Sequence, residues 1–278
     1  MQISRRLMLQ SMGISSLGIA ACCCGCKTAP VTGRRQFMMI PESQEMSLGV
    51  QAYQEVLNSE PVSKDQQMAQ IVQRVGTQIA NVSGRTDFQW EFNLISSPTQ
   101  NAFCLPGGKV AVYEGILPVC ENEAGLAVVM SHEVAHALAR HGGERMSQSL
   151  IVDSGQKIAD TIARKNIPDR HEQLMQAYSI GSKYGVLLPY NRKQESEADH
   201  IGVLLMAKAG YDPTEAPKFW NRFGGATGQE QQVEFFSTHP SDNRRAADLL
   251  RLMEEAQQHY AQAPQKVGVG QSLIRATG

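Results

Sequence analysis

Residues 124 to 140 read AGLAVVMSHEVAHALAR. From Ala124 to Ala139 every residue except Ser131, His132, Glu133 and His136 is apolar or small, so a helix here is apolar nearly all round and belongs in a core. Burying two imidazoles and a carboxylate is costly unless they are hydrogen-bonded, paired or bound to a metal. At about 3.6 residues per turn, His132 and His136 lie one turn apart on one face with Glu133 beside them. That is the H-E-x-x-H arrangement, in which two neutral imidazoles hold zinc and the glutamate takes a proton from the water bound to it.

The bulk properties frame this helix without competing with it. Hydrophobic residues make up 42% of the 278, mean hydropathy is -0.29, and 26 basic against 27 acidic residues leave a formal charge of -1. An ordinary globular protein fits these values, with one core of about 200 residues the simpler prior. No basic patch of the kind nucleic acid requires is present in the sequence, so nucleic acid is not an expected partner. There is also no internal repeat and no apolar run of membrane-spanning length.

Ahead of the helix, residues 1–21 read as a signal peptide, with Arg5 and Arg6 before the moderately apolar stretch from Leu7 to Ala21. Ser4 to Gln10 resembles a twin-arginine motif and Ile19-Ala20-Ala21-Cys22 a lipobox, which makes Cys22 the expected lipidation site. Residues 22–36 are then a polar tether to a membrane, and residues 37–260 the folded domain. Helices are expected from Pro41 to Leu57 and from an N-cap at Ser63 through Ile79. Phe88, Trp90, Phe92 and Leu94 alternate as a half-buried strand does. Lys109 to Tyr113 reads as a second strand, either internal or an open edge able to take an extended peptide. Cys104 and Cys120 suit a disulfide or two buried thiols equally well.

Beyond the helix, His141-Gly142-Gly143 reads as a stop, with His141 as a cation at the helix end. A metzincin is excluded, because positions 139 and 142 hold Ala139 and Gly142 rather than glycine and a third histidine. Residues 144–185 read as one or two helices, with a lid around Gly181 to Gly185 only weakly indicated. Asn191 to Ala207 is a further helix with a polar start, on which Glu195 and Asp199 share a face and Glu197 points elsewhere. That pair suits a metal ligand and a carboxylate supporting a ligating imidazole, or simply an acidic helix start favoured by the dipole. Residues 261–278 read as a mobile tail.

Taken in order, Asn101 to Gly115, Glu123 to Arg145, Tyr190 to Gly202 and Thr238 to Arg245 resemble the gluzincin metalloprotease family that includes the CAAX prenyl endopeptidases. The resemblance is to its soluble bacterial periplasmic branch, the BepA-like and LoiP-like proteases. It implies an α+β, mainly α, zincin-like (minigluzincin) domain with a small mixed sheet. It also implies one zinc ion on His132, His136 and Glu195, with Glu133 as general base and acid. Asp199 is then the partner of a ligating histidine, His239 lies near the metal either to bind it in a resting state or to stabilise the oxyanion, and Arg192 and Arg244 flank the cleft. The implied reaction is endoproteolysis of unfolded or misassembled envelope proteins by a lipid-anchored periplasmic enzyme, at the outer membrane rather than the inner. Outer-membrane assembly machinery would be a further partner. A rival on the same fold is a zinc-bound chaperone or binding module with a masked site. The intact Glu133 favours the enzyme, since a structural site has no use for a base beside its ligands.

Overall fold

The computed structural model describes residues 26–148, 150, 191–225, 239, 244–268 and 272–273. The stretch read as a signal peptide, the expected lipidation site Cys22 and the segment around Gly181 lie outside the described residues. A two-stranded antiparallel hairpin, β1 (Cys26–Thr28) and β2 (Arg35–Phe37), opens the described chain. It is followed by α1 (Glu42–Ser59), α2 (Gln66–Val82), β3 (Glu91–Ile95), β4 (Ala102–Leu105) and β5 (Lys109–Tyr113). After a single 3-10 turn come α3 (Leu117–Cys120), α4 (Glu123–Leu138), α5 at residues 141–148, and α6 (Arg192–Lys208). The described helices end with α7 (Glu215–Gly225), α8 (Arg245–Arg251) and α9 (Met253–Gln262). This is the mainly helical α+β fold with a small mixed sheet: strand order is β3-β5-β4, with β3 parallel and β4 antiparallel to β5. Among the described residues no helix is long and apolar enough to cross a membrane.

The core is built around α4, every residue of which is buried. Asn122 caps it, its side chain accepting from the Gly125 N–H. On one side α2 lays Met68, Ile71, Val72, Val75 and Ile79 against the core, each worth about 1.5–3 kcal/mol on full burial. Gly76 sits on that stripe because a Cβ there would meet the ring of Phe92 at 2.6 Å or less. On the other side α6 crosses α4 at Gly202, where a Cβ would stand 3.1 Å from the backbone of His132.

Several expectations are corrected, and two alternatives left open, for Lys109 to Tyr113 and for the two cysteines, are decided. Asp65, not Ser63, caps α2, accepting from Met68 N–H, while Ser63 donates to Glu114. Lys109 to Tyr113 is the central strand, flanked on both sides, so the edge facing α4 is β4, which its short turn-bounded sequence concealed. Gly142 and Gly143 do not stop α4. Arg140 does, at φ 56°, with its guanidinium on Glu45 and the Ile40 carbonyl, and α5 then runs straight through both glycines. The tether is in fact a docked hairpin: Gln36 donates to the Ala139 carbonyl at 2.5 Å, and Arg34 pairs with Glu144 and Glu197. Part of the tail is docked as well, with Val267 N–H donating to Gly210 O, Leu273 N–H to Glu121 O, and Leu273 buried. Cys104 and Cys120 are free, buried thiols.

Candidate metal centre

Two helices and one loop residue converge on a single point. His132 and His136 come from α4 and Glu195 from the first turn of α6, while His239 approaches from the segment ahead of α8. One ligand-type atom from each of the four lies within 4.8 Å of the others, and all four residues are buried. Nε2 of His132 and Nε2 of His136 are 3.1 Å apart, and the Glu195 carboxylate stands 3.4 and 3.3 Å from them. His239 Nδ1 is 3.1 Å from Glu195 Oε1, and its Nε2 is 3.3 Å from Glu133 Oε1. Glu195 comes so close because α6 starts with a capping box: Asn191 accepts from Gln194 N–H while the Gln194 side chain accepts from Asn191 N–H.

Behind His132, Asp199 Oδ1 lies 3.0 Å from Nδ1, one turn along α6 from Glu195. Arg245 in turn grips Asp199 with both arms of its fork, at 2.6 and 2.7 Å, and places Nη1 2.8 Å from Glu195. Its guanidinium also lies over the Trp220 ring at 3.4 Å. Arg245 is thus a site residue that the sequence reading did not assign, while Arg244, the residue before the first turn of α8, faces outward. Arg192 is exposed and with Arg244 lines a cavity that reaches Glu195. Arg245 was missed because two adjacent arginines differ only in helix phase, and that phase is unreadable without the helix start.

The donor set fits a metal cation. Burial opposes ionisation of Glu195, yet the three surrounding histidines hold its carboxyl far below the usual range. Burial likewise works against Asp199, and Arg245 with His132 overcomes it. Two ionised carboxylates facing two imidazoles therefore create a site for positive charge. The same field, against burial, lifts His132 to about 9 through Asp199 and Glu195, while burial drives His136 well down. Glu195 Oε2 stands 2.8 Å from Arg245 Nη1 and 3.4 Å from His132 Nε2, and Glu133 Oε1 3.3 Å from His239 Nε2, yet neither oxygen makes a hydrogen bond of good geometry, which a bound cation and a water beside it would remedy. Burial also raises the Glu133 carboxyl, with His239 and His132 opposing.

His141 is not a helix-end cation. It is fully buried, its Nδ1 2.8 Å from His136 Nδ1 and its Nε2 2.9 Å from Glu197 Oε2, and burial lowers its pKa. Glu197 does point away from the four-residue cluster, but towards His141. Its role was not legible because its partners, His141, Arg34 and Thr32, are far off in sequence.

The model of peptidase family M48 matches residues 65–253. The mitochondrial metalloendopeptidase OMA1 of Schizosaccharomyces pombe is 38% identical over 232 residues, covering 82% of this chain and 66% of that protein. Human mitochondrial metalloendopeptidase OMA1 is 30% identical over 243 residues, covering 83% of this chain and 46% of that protein. The beta-barrel assembly-enhancing protease of Escherichia coli K12 is 25% identical over 225 residues, 80% of this chain and 46% of that protein. The chain therefore spans between about half and two thirds of the length of these relatives. These matches carry the family but not the periplasmic branch, since the relatives named mitochondrial are the more similar. They also overturn the expected location: a lipid-anchored periplasmic protein of the outer membrane is contradicted by the mitochondrial names of the relatives at 38% and 30% identity.

Proposed function

Because this chain belongs to peptidase family M48, we propose that it is a zinc metalloendopeptidase cleaving extended segments of unfolded or misassembled proteins. The observation that carries the reading is the convergence of His132, His136, Glu195 and His239 around one point with Glu133 at its margin.

His132, His136 and Glu195 would hold the zinc. Bound there, zinc supplies a Lewis acid that brings the pKa of water down to about 7. Glu133 accepts the proton of the attacking water and later hands it to the leaving amine, a task its raised carboxyl suits. His239, next to Glu133, offers a donor to the oxygen on which charge develops at the peptide carbonyl. Asp199 accepts from His132 Nδ1, which directs the Nε2 lone pair into the site, and Arg245 keeps Asp199 ionised and in place.

The substrate class is argued from β4. Among the described residues no strand pairs with its outer edge, and it packs beside α4. A peptide laid along it would be held by main-chain hydrogen bonds. Its side chains would drop into a cleft lined by Met46, Gly49, Cys104, Leu105, His136 and Arg140. Only an extended chain can pair in this way, which favours unfolded or misassembled proteins over folded ones. The metalloendopeptidase and protease names of the relatives support endoproteolysis.

Casein cleavage tests the reading. Cleavage by the zinc-loaded chain that a chelator stops, and that Glu133→Gln loses while keeping zinc, is the expected result. Cleavage that survives in Glu133→Gln would refute it.

A further inference from the structure

We infer that His141, Glu197 and Arg34 are positioning residues for His136, joined in a directional hydrogen-bond chain that turns the His136 Nε2 lone pair into the metal centre and is clamped by the N-terminal hairpin. The inference rests on the reading of His136 as a metal ligand.

The two α4 histidines are supported in different ways. His132 Nδ1 meets a carboxylate directly, at Asp199. His136 Nδ1 meets another imidazole, His141 Nδ1, at 2.8 Å. Two facing ring nitrogens need one N–H and one lone pair, and nothing in that pair alone decides which ring supplies which. The next link decides it. His141 Nε2 lies 2.9 Å from Glu197 Oε2, and Glu197 also receives Nε of Arg34 at 2.5 Å and the hydroxyl of Thr32. A carboxylate so paired only accepts, so His141 Nε2 must carry the proton. His141 is fully buried with its ring edge-on to that of His136, and with its Nε2 proton directed at Glu197 the Nδ1 lone pair is left as the acceptor in the 2.8 Å contact. His136 Nδ1 must then donate, and its Nε2, facing Glu195 and His132, carries the lone pair that a metal needs.

The far end of the chain is fixed by residues distant from the H-E-x-x-H helix. Arg34 directs its other edge at Glu144 on α5, with bonds of 2.9 and 2.7 Å, and Gln194 of α6 donates to the same carboxylate at 2.7 Å. Arg34 reaches both glutamates because the hairpin reverses tightly between β1 and β2. Val31 and Gly33 sit at φ 67° and 66°, and Ala29 N–H donates to Arg34 O. The clamp ties together the hairpin, α5 and α6, the three elements around the C-terminal end of α4.

The test uses the full chain. Zinc affinity is measured by competition with a chromophoric chelator for wild type, Glu197→Gln, His141→Phe, Arg34→Gln and Arg34→Lys. The His136 tautomer is read in the metal-free proteins by 15N spectra, and each melting temperature is recorded. Glu197→Gln and His141→Phe should bind zinc about 10–100-fold more weakly. His136 should lose its pure Nδ1–H signature in Glu197→Gln, and Arg34→Lys should recover most of what Arg34→Gln loses. A merely structural role would lower the melting temperatures while leaving affinity within about twofold and the tautomer unchanged, and that result overturns the inference. Should Glu197→Gln fail to fold, the Arg34 pair decides by the same two readouts. His136→Ala binding zinc as tightly as wild type would instead remove the ligand reading beneath.

Discussion

Gly202→Ala adds one methyl group where α6 crosses α4, and its effect can be worked from the structure. The new Cβ would stand 3.1 Å from Cα and N of His132 and 3.2 Å from the carbonyl carbon of Ser131. Relaxed carbon contacts lie at about 3.5–4.0 Å, so the helices must part by roughly 0.4–0.9 Å. Backbone atoms cannot rotate out of the way as a side chain could. Overpacking of this kind costs about 1–3 kcal/mol, and replacing glycine inside a helix returns about 1 kcal/mol. The net loss is therefore roughly 0–2 kcal/mol, with each kcal/mol lowering Tm by about 2–4 °C in a chain of this size. The larger effect falls on the site, because His132 is on one helix and Glu195 and Asp199 on the other. Displacements approaching 1 Å can cost about 100-fold in rate, so casein cleavage should drop roughly 10–100-fold while the fold survives. Denaturant melts of the metal-free protein and cleavage rates of the zinc-loaded protein give both numbers. A variant about 1 kcal/mol more stable than wild type, with cleavage unchanged, would refute the tight crossing and the argument built on it.

Other expected outcomes follow from single contacts. Glu133→Gln keeps the shape of the site and removes its base, so cleavage should fall about 10²–10⁴-fold with zinc content unchanged, measured by metal analysis beside turnover. Burial opposes ionisation of Glu197, but hydrogen bonds from His141, Thr32 and Arg34 hold it at about 2 against an ordinary 4.5. A carboxyl depressed on folding contributes its full stability above the unfolded value and loses it as pH falls through the folded one. Acid unfolding between about pH 4.5 and 2 should thus be shallower in Glu197→Gln than in wild type, as followed by circular dichroism. Cys104 and Cys120 are buried thiols whose pKa values burial pushes up, so a thiol reagent should modify neither until denaturant is added; rapid labelling of the native protein would contradict this. Gly76→Ala drives a Cβ into the Phe92 ring and should cost about 1–3 kcal/mol in urea melts.

How much of this was legible in the sequence depends on how local each cause is. The H-E-x-x-H helix could be read because its evidence is contained in one buried turn and a half, and Lys109 to Tyr113 because a turn and a β-branched run mark it. Asp199 was found through its one-turn spacing from Glu195. The hairpin was read as a tether because its pairing spans only three residues a side and its hold comes from Arg34 reaching Glu144 and Glu197, over a hundred positions away. His141 looked like a helix-end cation for the same reason: its partners are set by tertiary packing, which overrides the local preference for charge at a helix end. The α4 stop was assigned to glycines, whereas Arg140 takes the left-handed turn because Glu45 and Ile40 bind its side chain.

The central claim is that His132, His136 and Glu195 form one zinc site, and zinc stoichiometry of the purified full chain, for wild type and for Glu195→Ala, tests it most directly. The account predicts about one zinc per wild-type chain and almost none in Glu195→Ala at the same free zinc concentration, with both proteins folded. Equal zinc in the two proteins, or a folded wild type that refuses added zinc, would contradict it.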